Sequence, residues 1–112
     1  MAVAARTAAR GDVHLVRLDP TEGSEIRKTR PCLVVSPDEV NERLRTVIIA
    51  PMTTGGPAYP WRVACRFQNR NGHVALDQLR TIDTERLVRK LGRLPASSFA
   101  QVLDTLREMF AE

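Results

Sequence analysis

Apolar and polar residues alternate along this chain in short bursts, and only the last segment keeps a helical period. Val13, Leu15, Val16 and Leu18 form the first burst. Its alternation breaks once, the pattern of a strand that is buried on both faces or carries a bulge. Asp19 to Arg30 is polar and rich in turn formers, long enough without structure of its own to be a candidate functional loop. Residues 32–36 read as a short apolar strand, Pro37 and Asp38 open a brief helical turn through Glu42, and Thr46 to Met52 reads as a central strand. Thr53 to Pro60, TTGGPAYP, holds two glycines and two prolines and reads as a loop. Arg62 to Phe67 alternates as a strand, Asn69 to Gly72 supplies a turn, and His73 to Leu79 supplies the returning strand of a hairpin. Thr84 to Leu87 reads as a short turn and Val88 to Leu94 as a last strand. Beyond it Phe99, Val102, Leu103, Leu106, Met109 and Phe110 recur at three- and four-residue steps, and Ser98 with Gln101 has capping-box spacing. These predict a terminal helix packing one face on the sheet.

The elements together predict a mostly β, α+β architecture: a strongly curved, mainly antiparallel sheet or half-open barrel with one C-terminal helix. A chain of 112 residues without an internal repeat makes one domain. Its start, MAVAARTAAR, lacks the apolar centre of a signal peptide, so residues 1–10 are expected to be a flexible lead-in to a single domain over residues 11–112. The longest apolar run, Val47 to Met52, is six residues, far below the roughly 18 that cross a bilayer as a helix. The expectation is a cytoplasmic protein with no membrane segment.

Charge sharpens the picture through its distribution. The net charge is +4, but residues 1–94 carry sixteen Lys and Arg against ten Asp and Glu, whereas residues 95–112 carry one against three. Arg outnumbers Lys fifteen to two, which suits a surface that pairs phosphates bidentately, although an ordinary solvated surface fits the same numbers. Cys32 and Cys65 lie in apolar or alternating runs without a partner motif and read as small buried hydrophobes. His14 and His73 have no metal-ligand spacing, so no metal site is expected.

One junction carries candidate chemistry. Arg30 precedes Pro31, which biases its backbone toward an extended conformation and mounts the guanidinium at the start of a strand. From residue types alone the plainer reading of Arg30 is a structural ion pair, with Asp19 or Asp77 for example, and the plainer reading of Thr53 is a strand-closing β former.

The segments Gly11-Asp12-Val13, GSE (Gly23 to Glu25), TRPCLVVS (Thr29 to Ser36), VIIAPMTT (Val47 to Thr54), LDQLRTID (Leu76 to Asp83) and LGRL (Leu91 to Leu94) together resemble the MazF/PemK family of toxin endoribonucleases, in order and in spacing. The resemblance implies the SH3-like barrel of the MazF/PemK/CcdB group and metal-independent, sequence-preferring cutting of single-stranded RNA, with no cofactor. It also implies a homodimer and a cognate antitoxin, MazE-like, acidic and partly disordered. RNA can cleave itself when a 2′-hydroxyl attacks the adjacent phosphorus, so the enzyme need only move protons and stabilise the added charge. By the family's pattern Arg30 and Thr53 are catalytic, holding the scissile phosphate, and Glu25 is a candidate general base. Ser24, Arg27, Lys28 and Thr54 are expected to touch substrate. Ser24 stands where some relatives have histidine, so an imidazole base is not available at that point. Gln78 and Arg80 resemble positions near the RNA groove, one reading a base edge and the other tracking the backbone. Tyr59 and Trp61 could stack on unpaired bases or pack on the barrel. Two other functions fit the same fold: a CcdB-like gyrase poison, whose exposed C-terminal Trp-Gly-Ile is absent from Met109-Phe110-Ala111-Glu112, and an SH3-like module that binds nucleic acid or peptide without turnover.

Overall fold

The computed structural model describes residues 7–112. The first six residues of the expected lead-in lie outside the described residues. Within residues 7–10, Ala8 is buried, the Arg10 N–H donates to Asp38 Oδ1 (2.7 Å) and its Nε to the Val35 carbonyl (3.0 Å).

Among the described residues seven strands and two α-helices follow in the order β1 (Asp12–Arg17), β2 (Thr29–Val34), α1 (Asp38–Arg43), β3 (Thr46–Thr54), β4 (Arg62–Phe67), β5 (Arg70–Ala75), β6 (Arg80–Asp83), β7 (Leu87–Arg93) and α2 (Ala96–Met109). The strands form one sheet in the order β4-β5-β3-β2-β1-β7, with β6 also paired to β3, and every pairing is antiparallel. The curvature is set in β3. Thr46 to Ile49 pair with β6 and Met52 to Thr54 pair with β5 on the same edge. Pro51 falls in the gap between those two ladders, where its missing N–H costs no sheet hydrogen bond.

The near-continuous apolar runs of β2 and β3 are explained by burial on both faces. Leu33, Val35, Ala50 and Met52 enter one core, roofed by Phe99, Val102 and Leu106 of α2. Cys32, Val34, Val47 and Ile49 enter a second core with Val16, Leu18 and Leu87. Both readings of the break in β1 hold: Val13 and Val16 belong to different cores, and the β1–β7 register shifts between Val13 and His14 and again between Leu15 and Val16.

Four expectations need correction. The hairpin turn is Gln68-Asn69, both left-handed (φ 51° and 63°), so β5 begins at Arg70 rather than His73. Its end comes early as well, because Leu76–Gln78 is a single 3₁₀ turn and Arg80–Asp83 is a separate strand. Helix α2 starts at Ala96 with Pro95 as N-cap and no side-chain cap, so Ser98 and Gln101 form no capping box. Phe110 lies beyond the helix and is exposed.

At the foot of β1, Asp12 is buried and receives Arg93 Nη1 (2.7 Å), Lys90 Nζ (3.4 Å) and the Ala9 N–H (3.0 Å). Burial alone would raise its carboxyl pKa, but the Ala9 N–H, then Lys90, outweigh it and leave it below the usual carboxylate value. No described helix is long and apolar enough to cross a membrane.

Candidate active site

Sheet register brings Arg30 and Thr53 together. Strand β2 pairs with β3 as Cys32 to Pro51, Leu33 to Ala50 and Val34 to Ile49. Continued by two residues, that register sets Arg30 opposite Thr53. Arg30 is itself held on its other side by pairing with Val16 of β1, and Thr53 by pairing with His73 of β5. Each therefore stands on a strand and is paired on its outer edge, Arg30 to β1 and Thr53 to β5, just beyond the last β2–β3 pair, which fixes their backbones more firmly than a loop would.

The two residues line one open cleft of about 390 Å³, together with Pro31, Met52, Thr54, Cys65, Phe67, Gln68, Arg70 and Gly72. Among the described residues the lining contains two guanidinium groups and no carboxylate. Arg30 is half-buried, its Nε donates to the Arg27 carbonyl (3.0 Å), and among the described residues it makes no ion pair. The structural partners considered for it are otherwise engaged. Asp77 pairs bidentately with Arg62 (2.9 and 3.0 Å), and Asp19 Oδ1 accepts from the Lys28 N–H (3.1 Å). The terminal nitrogens of Arg30 are thus available to an anion, and the half-buried Thr53 lines the same cleft. A second, wider cavity of about 670 Å³ shares no residue with this cleft and mixes Arg17 and Arg45 with Glu42, Asp83 and Glu85, so it suits a polyanion less well.

The remaining candidates divide. Thr54 lines the cleft. Ser24, Glu25, Arg27 and Lys28 sit on the exposed β1–β2 loop and do not line it. Glu25 Oε1 accepts from the Glu22 N–H (2.7 Å), closing a turn within that loop. Gln78 and Arg80 are loop anchors in this structure: Gln78 Oε1 accepts from the Ile26 N–H (3.2 Å), and Arg80 Nη1 donates to the Leu18 carbonyl (3.1 Å). Tyr59 and Trp61 are exposed, and Tyr59 lies under the Arg62 guanidinium at 5.1 Å from the ring centre. Arg62 in turn holds the Asp77 carboxyl below the usual carboxylate range by its hydrogen bonds.

Sequence reasoning missed the β4–β5 wall of the cleft, Cys65, Phe67, Gln68, Arg70 and Gly72. The signal was present as alternation: residues 65 and 67 share one face of β4, and 70 and 72 share one face of β5. Burial raises the Cys65 thiol pKa and pushes that of Cys32 up to about 12, so neither thiol is a ready nucleophile at neutral pH. Among the described residues no three His, Cys, Asp or Glu side chains gather as metal ligands would.

Residues 9–110 match the family model described as PemK-like, MazF-like toxin of type II toxin-antitoxin system. Endoribonuclease MazF9 of Mycobacterium tuberculosis is 33% identical over 108 residues, covering 88% of this chain and 92% of that protein. The crystal structure of MazF from Deinococcus radiodurans superposes with a TM-score of 0.81 at 27% identity, over 92% of this chain and 96% of that one. A MazE-MazF crystal structure from the same organism superposes with a TM-score of 0.76 at 27% identity, over 92% and 95% of the two chains.

Proposed function

This chain belongs to the PemK-like, MazF-like toxins of type II toxin-antitoxin systems, and from that premise we propose that it is an endoribonuclease whose reacting phosphate sits between Arg30 and Thr53. The observation that carries the reading is the carboxylate-free cleft holding both side chains. A guanidinium fork and a hydroxyl can each hold a non-bridging oxygen of one phosphodiester. As the 2′-hydroxyl adds to phosphorus, negative charge grows on those oxygens, and donors already in place stabilise it without reorganising. The 5′-oxygen then leaves, giving a cyclic phosphate or its 3′-phosphate hydrolysis product and a 5′-hydroxyl end.

A guanidinium is ordinarily a poor proton donor or acceptor, so Arg30 is assigned electrostatic stabilisation rather than proton transfer. Glu25 enters through its loop. For its carboxylate to take the 2′-hydroxyl proton, the turn between Glu22 and Glu25 must open over bound RNA. The substrate is single-stranded, because a duplex would hold the attacking hydroxyl away from the in-line geometry the reaction needs. Tyr59 and Trp61 supply exposed faces on which unpaired bases can stack. The biological unit is a homodimer acting in the cytoplasm, and the neutralising partner is an acidic, partly disordered antitoxin that competes with RNA for the basic cleft.

The test is incubation of the purified protein with single-stranded RNA in excess EDTA, with end-group mapping of the products. Discrete fragments with 5′-hydroxyl ends are expected. Cutting that EDTA abolishes would overturn the metal-free scheme, and no cutting with or without metal would overturn the nuclease reading.

A further inference from the structure

We propose that Arg70 is a substrate-positioning residue that holds the phosphate flanking the scissile one, a role that rests on the endoribonuclease reading for its substrate and on the cleft geometry for its place. The cross-strand register of the hairpin pairs Cys65 with Gly72 and Phe67 with Arg70. All four line the cleft. One face of the β4–β5 hairpin therefore forms a continuous wall beside Thr53, and Arg70 is the only charged group on it.

The wall is braced. The two-residue turn Gln68-Asn69 takes the left-handed conformation that matches strand twist in tight hairpins (φ 51° and 63°). Gln68 Nε2 donates to the Leu91 carbonyl of β7 (3.3 Å). The Phe67 ring rests against Gly92, where a Cβ would stand 3.3 Å from Cζ. Arg70 thus extends from a surface tied to a neighbouring strand at two points, although its own side chain is exposed.

Charge supplies the ligand. Among the described residues Arg70 makes no ion pair and no side-chain hydrogen bond, whereas Arg66, two residues before the turn, is bonded to Asn71 Oδ1 (3.3 Å). One phosphate is satisfied by one guanidinium fork and one hydroxyl, the groups Arg30 and Thr53 provide. A second unpaired guanidinium in a cleft without acids then matches the next phosphate along a single strand. Such a contact orients the strand without touching the reacting atoms.

The experiment measures binding of a fully 2′-O-methylated single-stranded oligoribonucleotide, which lacks the attacking hydroxyl, by the parent, Arg70→Ala and Arg70→Lys across a salt series. Steady-state cleavage of ordinary RNA is measured beside it, and melting curves establish that the variants are folded. Arg70→Ala is expected to weaken binding about tenfold and to reduce the slope of log affinity against log salt by about 0.7, the value for one phosphate contact on a single strand. The lysine variant should regain the slope. KM should rise with kcat nearly unchanged. An unchanged slope and affinity would overturn the proposal, and so would a fall in kcat as deep as that of Arg30→Ala, because the residue would then act in the chemical step. A parent protein that binds with an Arg70-dependent slope yet never cuts RNA would support this contact and contradict the nuclease reading.

Discussion

Gly72 of β5 packs so closely on Thr53 of β3 that a Cβ at Gly72 would collide with the Thr53 carbonyl oxygen, with the Thr53 carbonyl carbon 3.0 Å away. This glycine is needed for space, since its backbone does not take the left-handed conformation. Gly72→Ala must therefore push β5 away from β3 at the cleft. Overpacking of this kind costs about 1–3 kcal/mol, and the displaced Thr53 should lower cleavage by at least about tenfold, the scale for losing one well-placed donor in part. Thermal melts and RNA cleavage of Gly72→Ala measure both effects.

His14 makes the stability of the fold depend on mild acid. Its ring is buried, its Nε2 lies 3.5 Å from Asp12 Oδ2, and among the described residues neither ring nitrogen has a hydrogen-bond partner. Burial holds its pKa below the ordinary 6.5, outweighing the carboxylate of Asp12, with Lys90 acting in the same direction as burial. The unfolded chain then takes up a proton before the folded one does. Stability is full above pH 6.5 and declines as pH falls from there toward the folded value. His14→Gln should flatten the dependence of Tm on pH in that window.

The Arg62–Asp77 pair braces the end of the Tyr59–Trp61 loop onto the 3₁₀ turn after β5. Asp77 has a depressed pKa, so its contribution is present above its ordinary value of 3.8 and is lost as pH falls through the lower folded value. Both partners retain solvent contact, which limits the effect. Asp77→Asn should destabilise the protein by about 0.5–1 kcal/mol at neutral pH and remove that part of the acid sensitivity, as read by denaturant melts at neutral and acidic pH.

Glu25→Gln separates loop closure from strand binding. If the β1–β2 loop closes over RNA and delivers the carboxylate, kcat should drop by about 10²-fold or more while KM stays near the parent value, the pattern of a lost general base. A rise in KM alone would assign Glu25 to ordering the loop through its bond to Glu22.

Much of this site is legible in the chain before any coordinates. The Arg30-Pro31 junction and the runs of β2 and β3 place a cation and a threonine at strand ends, and burial on both faces makes those runs nearly continuous in apolar residues. What the sequence obscures is the hairpin. Asn69 to Gly72 looks like a turn because glycine is a turn former, yet Gly72 lies inside β5 and serves close approach to Thr53. The turn belongs to Gln68 and Asn69, two residues that carry no such signal as a pair. That shift conceals Arg70, which a turn at 69–72 would leave on a loop. Likewise Leu76 to Asp83 reads as one strand end and a linker, because nothing local marks the 3₁₀ turn that lets β6 return to β3. Gln78 and Arg80 then look like free polar groups when their bonds run to the distant β1–β2 loop and its stem.

The most direct test of the shared role of Arg30 and Thr53 is single-turnover cleavage of single-stranded RNA in EDTA by the parent, Arg30→Ala, Thr53→Ala and the double variant. Each single change should slow cutting by about 10²-fold or more, and the double variant should be much less impaired than the product of the two, because both groups hold the same phosphate. A folded Arg30→Ala protein that cuts at the parent rate, or single-variant losses that multiply fully, would contradict the account.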